Sequence, residues 1–418
     1  MSPAEAATHD LILRARRLVQ AGRVDEAATI YVPAAEAGVA EAQYDLGCLH
    51  AFRMLADSDL DRAREWLSRA AAQGHAGAMQ QLAVFALADR LLPRDLAQIN
   101  DWLRRSAQAG HPAALRSLAL FWRRVGTTED NRLGTLCLEH AALGGDLVSL
   151  GLLIDRLREG IGCTADPRRA DAIAGLLADG ESPIDPPRSP VDAGEAEPRN
   201  LPPLPILPRI DLAPALAPPT LRVLSQSPWV AIADEAFSPE ECRFVQLLGA
   251  PQLIPSITAD PEGKLVKLPV RTSHDAPFMP ALEDVYLRVL QTRMAATAHL
   301  PLANGEELIL LRYRPGQEYR PHRDYLPPSL VEPLAEGGPG QRQATVIAYL
   351  NRVESGGNTQ FPELGLDIPA TAGSLLAFRN LDDAGQPDTR TLHAGLPVIA
   401  GEKWICTLWL RQGPIRCL

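Results

Sequence analysis

The sequence predicts a multidomain α + β chain. An N-terminal α-solenoid of helix-pair repeats is followed by a C-terminal β sandwich or jelly roll with helical buttresses. Three observations carry this. Small-residue runs ending in Gly recur every 35–36 positions through the first 180 residues. Twelve prolines crowd into residues 181–220. From about residue 223, short β-rich runs alternate with turn residues. The expected boundaries are 1–180 for the repeats, 181–222 for a proline-rich linker and 223–418 for the β-rich domain.

The repeats come first in the chain. Ala34-Ala-Glu-Ala-Gly38, Ala70-Ala-Ala-Gln-Gly74, Ser106-Ala-Gln-Ala-Gly110 and Ala141-Ala-Leu-Gly-Gly145 are in phase, and a weaker copy ends at Gly180. Ala42, Ala78 and Ala114 follow their glycines by four residues, and Leu46, Leu82, Leu118 and Leu153 by eight. Trp66 and Trp102 keep the same period. Small residues let paired helices approach closely, and a Gly just past a helix suits its C-cap. Residues 25–180 resemble the SEL-type branch of the tetratricopeptide family, which implies stacked helix pairs and a surface for proteins or peptides.

The linker includes Pro186-Pro187 and Leu201-Pro-Pro-Leu-Pro-Ile-Leu-Pro. Such a composition is semi-rigid. Its Leu and Ile residues are out of place in a solvated tether, which predicts that part of 200–220 packs on a domain.

Strands are expected at Trp229–Ala233, Glu307–Tyr313, Thr345–Leu350, Ser374–Phe378 and Trp404–Leu410. Helices are expected at Pro239–Leu248, with Ser238 as N-cap, and at Ala281–Ala298. A Pro- and Gly-rich stretch, Pro327–Gly340, reads as a mobile lid.

Composition narrows the function. With 46% apolar and 22% charged residues the chain is globular. A net charge of −10 argues against nucleic acid or an anionic membrane as the main partner. Six scattered cysteines, without a C-x-x-C pair, fit a reducing compartment. No apolar run reaches membrane-spanning length. The start, Met-Ser-Pro-Ala-Glu-Ala-Ala, lacks a basic n-region and an apolar stretch, so cytoplasm is expected.

The chemistry concentrates in Tyr313-Arg-Pro-Gly-Gln-Glu-Tyr319-Arg-Pro-His322-Arg-Asp324 and, downstream, His393-Ala-Gly-Leu-Pro-Val and Lys403-Trp404. Two histidines and one carboxylate are the ligand set of a facial triad, which leaves positions open on a non-haem Fe(II). In a strand, positions i and i+2 share a face, so His322 and Asp324 are expected to project together. The only lysines are Lys264, Lys267 and Lys403, so a Lys at a motif position carries weight. His274, His299, His75, His111 and His140 have no ligand partners at useful spacing and are expected to be structural.

These motifs, with Gly356-Gly357-Asn-Thr359-Gln-Phe361-Pro362, Phe237-Ser-Pro-Glu-Glu-Cys242 and Arg271-Thr-Ser273, closely resemble the prolyl 4-hydroxylase branch of the Fe(II)/2-oxoglutarate dioxygenases over residues 225–412. The resemblance implies a double-stranded β-helix. It implies His322, Asp324 and His393 as the catalytic iron ligands, Lys403 and Tyr313 on the distal carboxylate of 2-oxoglutarate, and Thr359 shaping the same pocket. Arg271, Ser273, Glu306, Tyr319, Arg342 and Trp409 fall where the family lines or supports a peptide groove. The implied cofactors are Fe(II), 2-oxoglutarate, O₂ and, as accessory reductant, ascorbate. The implied partner is a proline-containing protein or peptide recruited by the repeats. Two alternatives stand beside this reading. One is a same-fold oxygenase for another residue or a free amino acid. The other is a non-enzymatic, repeat-based interaction protein.

Overall fold

The computed structural model describes residues 3–178, 201–256, 258–259, 265–266, 271–279 and 283–415. The repeat copy ending at Gly180 and the first part of the expected linker lie outside them. Two compact units are distinguished. One comprises 1–214 with 284–286; the other comprises 215–283 with 287–417.

In the first unit, helices pair along the chain: Val24–Glu36 with Ala40–Ala51, Leu60–Ala72 with Ala76–Leu87, Leu96–Gln108 with Pro112–Val125, and Thr128–Leu143 with Leu147–Glu159. A helix not expected from the repeat, Pro3–Gln20, packs on the first pair. The phase seen in sequence has a direct backbone cause. Gly38, Gly74, Gly110 and Gly145 each have φ between 83° and 92°, a region that costs an L side chain strain. The in-phase alanines Ala42, Ala78 and Ala114 are fully buried, which is what lets the helices approach. Trp66 and Trp102 pack at the rims of successive cores. Asp59, Asp95 and Asp146 cap helix N-termini by accepting backbone N–H bonds.

The second unit is a two-sheet sandwich. Its large sheet runs Arg222–Gln226, Trp229–Ala233, Leu375–Arg379, Arg342–Tyr349, Lys403–Arg411, Ile309–Tyr313, His274–Pro277 and Ile254–Pro255. The small sheet runs Leu366–Ile368, Thr359–Phe361, His393–Gly395 and Tyr319–His322. Neighbours pair antiparallel throughout both sheets. Alternation explains the long strands. Lys403, Ile405, Thr407 and Trp409 face the cavity between the sheets, whereas Cys406, Leu408 and Leu410 are fully buried on the other face. Leu311, Ile347, Phe361, Phe378 and Val398, drawn from both sheets, form the core between them.

The buttress Pro239–Gly249 begins with a capping box between Ser238 and Glu241. The second buttress starts at Val285 rather than Ala281, with 281–282 outside the described residues. Its Arg293 is about 0% exposed, donates to the carbonyls of Ala215 and Ala236, and pairs with Glu241 at 3.1 Å. This unit therefore reaches back to Ala215, eight residues before the expected boundary at 223. The expected lid is built of two 3-10 turns, Pro328–Leu330 and Leu334–Glu336. It is pinned at its base by a two-way bond between Gln341 and the Leu326 backbone (2.6 and 2.8 Å).

Candidate active site

His322 closes a strand of the small sheet, and His393 opens the neighbouring one. The register sets these two residues directly opposite each other. Asp324 lies in the bend just after the strand, so strand alternation is not what brings it in. Its position is set from the large sheet instead: Thr345 donates its hydroxyl to Asp324 Oδ2 at 2.8 Å, and Asn380 donates to the Thr345 oxygen at 3.0 Å. The two imidazole Nε2 atoms stand 3.6 and 3.7 Å from the Asp324 carboxylate oxygens. The three ligand atoms lie within 4.8 Å of one another.

Both imidazoles are oriented in the same way. His322 Nδ1 lies 2.8 Å from the Arg320 carbonyl, and His393 Nδ1 lies 2.9 Å from the Thr391 carbonyl. A carbonyl only accepts, so each Nδ1 carries the proton and each Nε2 presents a lone pair to the shared centre. Burial, reinforced by His393, holds the His322 imidazole well below its ordinary range and therefore neutral. Burial alone would favour a protonated Asp324, but the two imidazoles, Arg342 and the Thr345 hydroxyl outweigh it and hold the carboxyl low. Two imidazole nitrogens and one carboxylate around one point are the ligand set of a divalent iron with open positions. Thr345→Val should lower metal affinity by roughly 10–100-fold while leaving the fold intact, because the ligand loses the bond that orients it. A metal titration of the variant checks this; unchanged affinity would show that Thr345 holds nothing.

The centre opens into a cavity between the two sheets. Arg271, Tyr313, Tyr319, Thr359, Lys403 and Trp409 line it with the three ligands. Lys403 is 3% exposed and has no hydrogen-bonding or ion-pair partner among the described residues. Its ammonium lies 5.7 Å from the ring centres of both Tyr313 and Tyr349. Burial without a partner lowers its pKa to about 7. Tyr313 stands directly across the ladder from Lys403. Thr359 accepts a 2.8 Å bond from the Tyr349 hydroxyl. A buried cation facing an open cavity calls for an anion, and a dicarboxylate reaching from the metal centre fits that donor set.

The remaining expected residues divide. Arg271 reaches Ser273 and Asp275 at 3.1 Å each and lies over the Tyr319 ring, which itself stacks on His322 at 3.4 Å. Trp409 lines the cavity, and its buried indole N–H has no protein acceptor among the described residues. Ser273, Glu306 and Arg342 do not line it. Ser273 sits behind Arg271, 2.8 Å from Ser256. Arg342 makes a two-pronged pair with Glu306 (2.8 and 2.7 Å), and its guanidinium lies 3.9 Å from the Trp409 ring centre. Arg411 adds a second partner to Glu306 at 3.1 Å. Sequence reasoning missed Thr345, Asn380 and Tyr349; the inward parity of Thr345 and Tyr349 in their strand was the available signal for two of them.

Comparison with known proteins found a matching family, curated relatives and similar solved structures. Residues 308–411 match the 2OG-Fe(II) oxygenase superfamily. Prolyl 4-hydroxylase 1 of Arabidopsis thaliana is 35% identical over 206 residues, covering 46% of this chain and 71% of the relative. The crystal structure of a viral collagen prolyl hydroxylase from Paramecium Bursaria Chlorella virus-1 aligns with 29% identity over 44% of this chain and 95% of that one, at a TM-score of 0.35. A Sel1 repeat protein from Oxalobacter formigenes aligns with 22% identity over 41% of this chain and 68% of its own, at a TM-score of 0.36.

Proposed function

The chain belongs to the prolyl 4-hydroxylase branch of the 2OG-Fe(II) oxygenases, and from that membership we propose that it hydroxylates a proline within a protein segment. His322, Asp324 and His393 hold the iron, and Lys403 with Tyr313 holds the far carboxylate of 2-oxoglutarate. The observation that carries this reading is the pairing of a three-ligand centre with a buried, unpartnered lysine in one cavity.

When bound, Fe(II) would activate O₂, the oxidant, with 2-oxoglutarate as the two-electron donor: one oxygen atom would end in succinate as CO₂ leaves, and the other would enter a substrate C–H bond. The protein's residues do the positioning. Nε2 of each histidine and the Asp324 carboxylate would hold the metal and would leave it open positions for 2-oxoglutarate and O₂. Leu311, Ile347 and Ile405 give the cavity apolar walls, which would strengthen an ion pair between Lys403 and a bound carboxylate. Arg271, Tyr319 and Trp409 lie at the cavity, where the free indole N–H of Trp409 can donate to a peptide carbonyl. The Glu306–Arg342–Arg411 cluster fixes that indole from behind and so acts on substrate through Trp409. Ascorbate would serve as a reductant, and the free state of Cys48, Cys137, Cys163, Cys242 and Cys406 favours a reducing compartment such as the cytoplasm. No helix among the described residues is long and apolar enough to cross a membrane.

The test is substrate choice. With Fe(II) and 2-oxoglutarate present, proline-containing peptides should stimulate succinate formation, and free amino acids should not. Stimulation by free proline alone would replace this reading with a small-molecule oxygenase.

A further inference from the structure

The segment 201–212 carries a pattern its proline count conceals. It has no regular secondary structure, yet from Leu201 to Ile210 its burial repeats every third residue, a period that the buried Leu212 ends. Leu201 and Leu204 are half-buried, and Leu207 and Ile210 are 1% and 9% exposed. The intervening Pro202, Pro203, Pro205, Pro208 and Arg209 are exposed, and Ile206 is 87% exposed. A period of three is that of the polyproline II helix, which aligns every third side chain on one edge. That helix makes no internal hydrogen bonds, so its backbone groups must be satisfied from outside.

The solenoid supplies those partners from side chains. Asn100, on the helix Leu96–Gln108, donates its amide to the Ile210 carbonyl. Gln108, on the same helix, accepts the Leu207 N–H at 3.1 Å. His140, on the helix Thr128–Leu143, lies 2.9 Å from the Pro202 carbonyl and donates to it. Asn100 is itself buried, so its bond to the segment is the alternative to an unsatisfied amide. Side chains that clamp backbone atoms, while every third residue is covered, read conformation and spacing rather than one sequence.

We propose that this face of the repeats is a recognition groove for polyproline II segments with an apolar residue at every third position, and that residues 201–212 are its resident occupant in cis. A proline-rich protein segment with the same spacing binds by displacing them. The tether holds the cis segment at an effective concentration of the order of millimolar, so an incoming peptide meets a competitor. The proposal concerns binding alone and stands or falls separately from the hydroxylase reading.

The test uses the full-length chain and a labelled peptide with the sequence of residues 201–212. Leu207→Asp with Ile210→Asp should unseat the cis segment and tighten peptide binding about tenfold or more over the parent chain. Adding Asn100→Ala and Gln108→Ala should remove that gain. A peptide of the same composition, with its apolar residues off the every-third register, should not bind. A second measurement needs no variant: trypsin cleavage after the exposed Arg209 of the parent chain should accelerate with excess register-matched peptide. Cleavage indifferent to peptide, or equal binding of both peptides, would overturn the proposal and make the segment a fixed part of the solenoid.

Discussion

Replacing His393 or His322 with alanine should reduce 2-oxoglutarate turnover to background. Each imidazole presents Nε2 to the shared centre because its Nδ1 is committed to a backbone carbonyl. Neither nitrogen has a substitute: His322, Asp324 and His393 are the only group of three or more His, Cys, Asp or Glu residues among those described that could hold a metal ion. A two-ligand remnant keeps the Asp324 carboxylate but loses the geometry that leaves one side of the metal free. Succinate formation and metal binding should fall together in both variants. Full turnover in either would remove that residue from the centre.

Lys403→Ala should weaken 2-oxoglutarate binding by more than a hundredfold. Removing one partner from a buried ion pair costs about 3–5 kcal/mol, because the remaining charge stays desolvated. The same lysine gives binding a pH dependence of definite sign. Burial alone lowers its pKa to about 7, and a carboxylate beside it favours the ammonium and raises that value. The bound state thus holds the proton more tightly. Affinity is full where the lysine is already protonated, below about 7, and falls as pH rises through 7 toward the bound-state value. The fall is at most about tenfold per pH unit, since one proton is taken up. Titrations with an inert divalent metal across that range should show proton uptake in the parent chain and none in the alanine variant. A flat, unchanged affinity in the variant would assign the carboxylate to another cation, with Arg271 the nearest candidate by its place in the cavity.

Much of this architecture was legible because it is periodic. The phased glycines mark helix ends through a positive φ that L side chains resist, and that requirement is written in composition. Strands with both faces buried, such as Lys403–Arg411, announce themselves as long apolar runs. The ligands were legible as residue types, but not the reason they converge. Asp324 lies beyond its strand, and Thr345 and Asn380, distant in sequence, hold it. The pairing of His322 with His393 is a matter of register across 71 residues, which local pattern does not encode. Glu306 and Arg342 sit near the site in sequence order yet face each other rather than the cavity, a distinction that only packing makes. Residues 201–212 read as linker because proline density dominates; their three-residue burial period becomes visible only against the helices that cover one edge. The second compact unit starts at Ala215, eight residues before the expected 223. Its carbonyl accepts from the buried Arg293, 78 residues away, a contact that local sequence does not reveal.

The central claim is that one cavity couples 2-oxoglutarate decarboxylation to hydroxylation of a peptidyl proline. The most direct measurement places the full-length chain, Fe(II), 2-oxoglutarate and O₂ with a proline-rich peptide, and follows succinate and peptide mass together. The account predicts one oxygen atom added per succinate formed, with fragmentation placing it on a proline ring, and loss of both products in the His393→Ala chain. Succinate released while the peptide stays unmodified, or oxygen found only on other side chains, would contradict it.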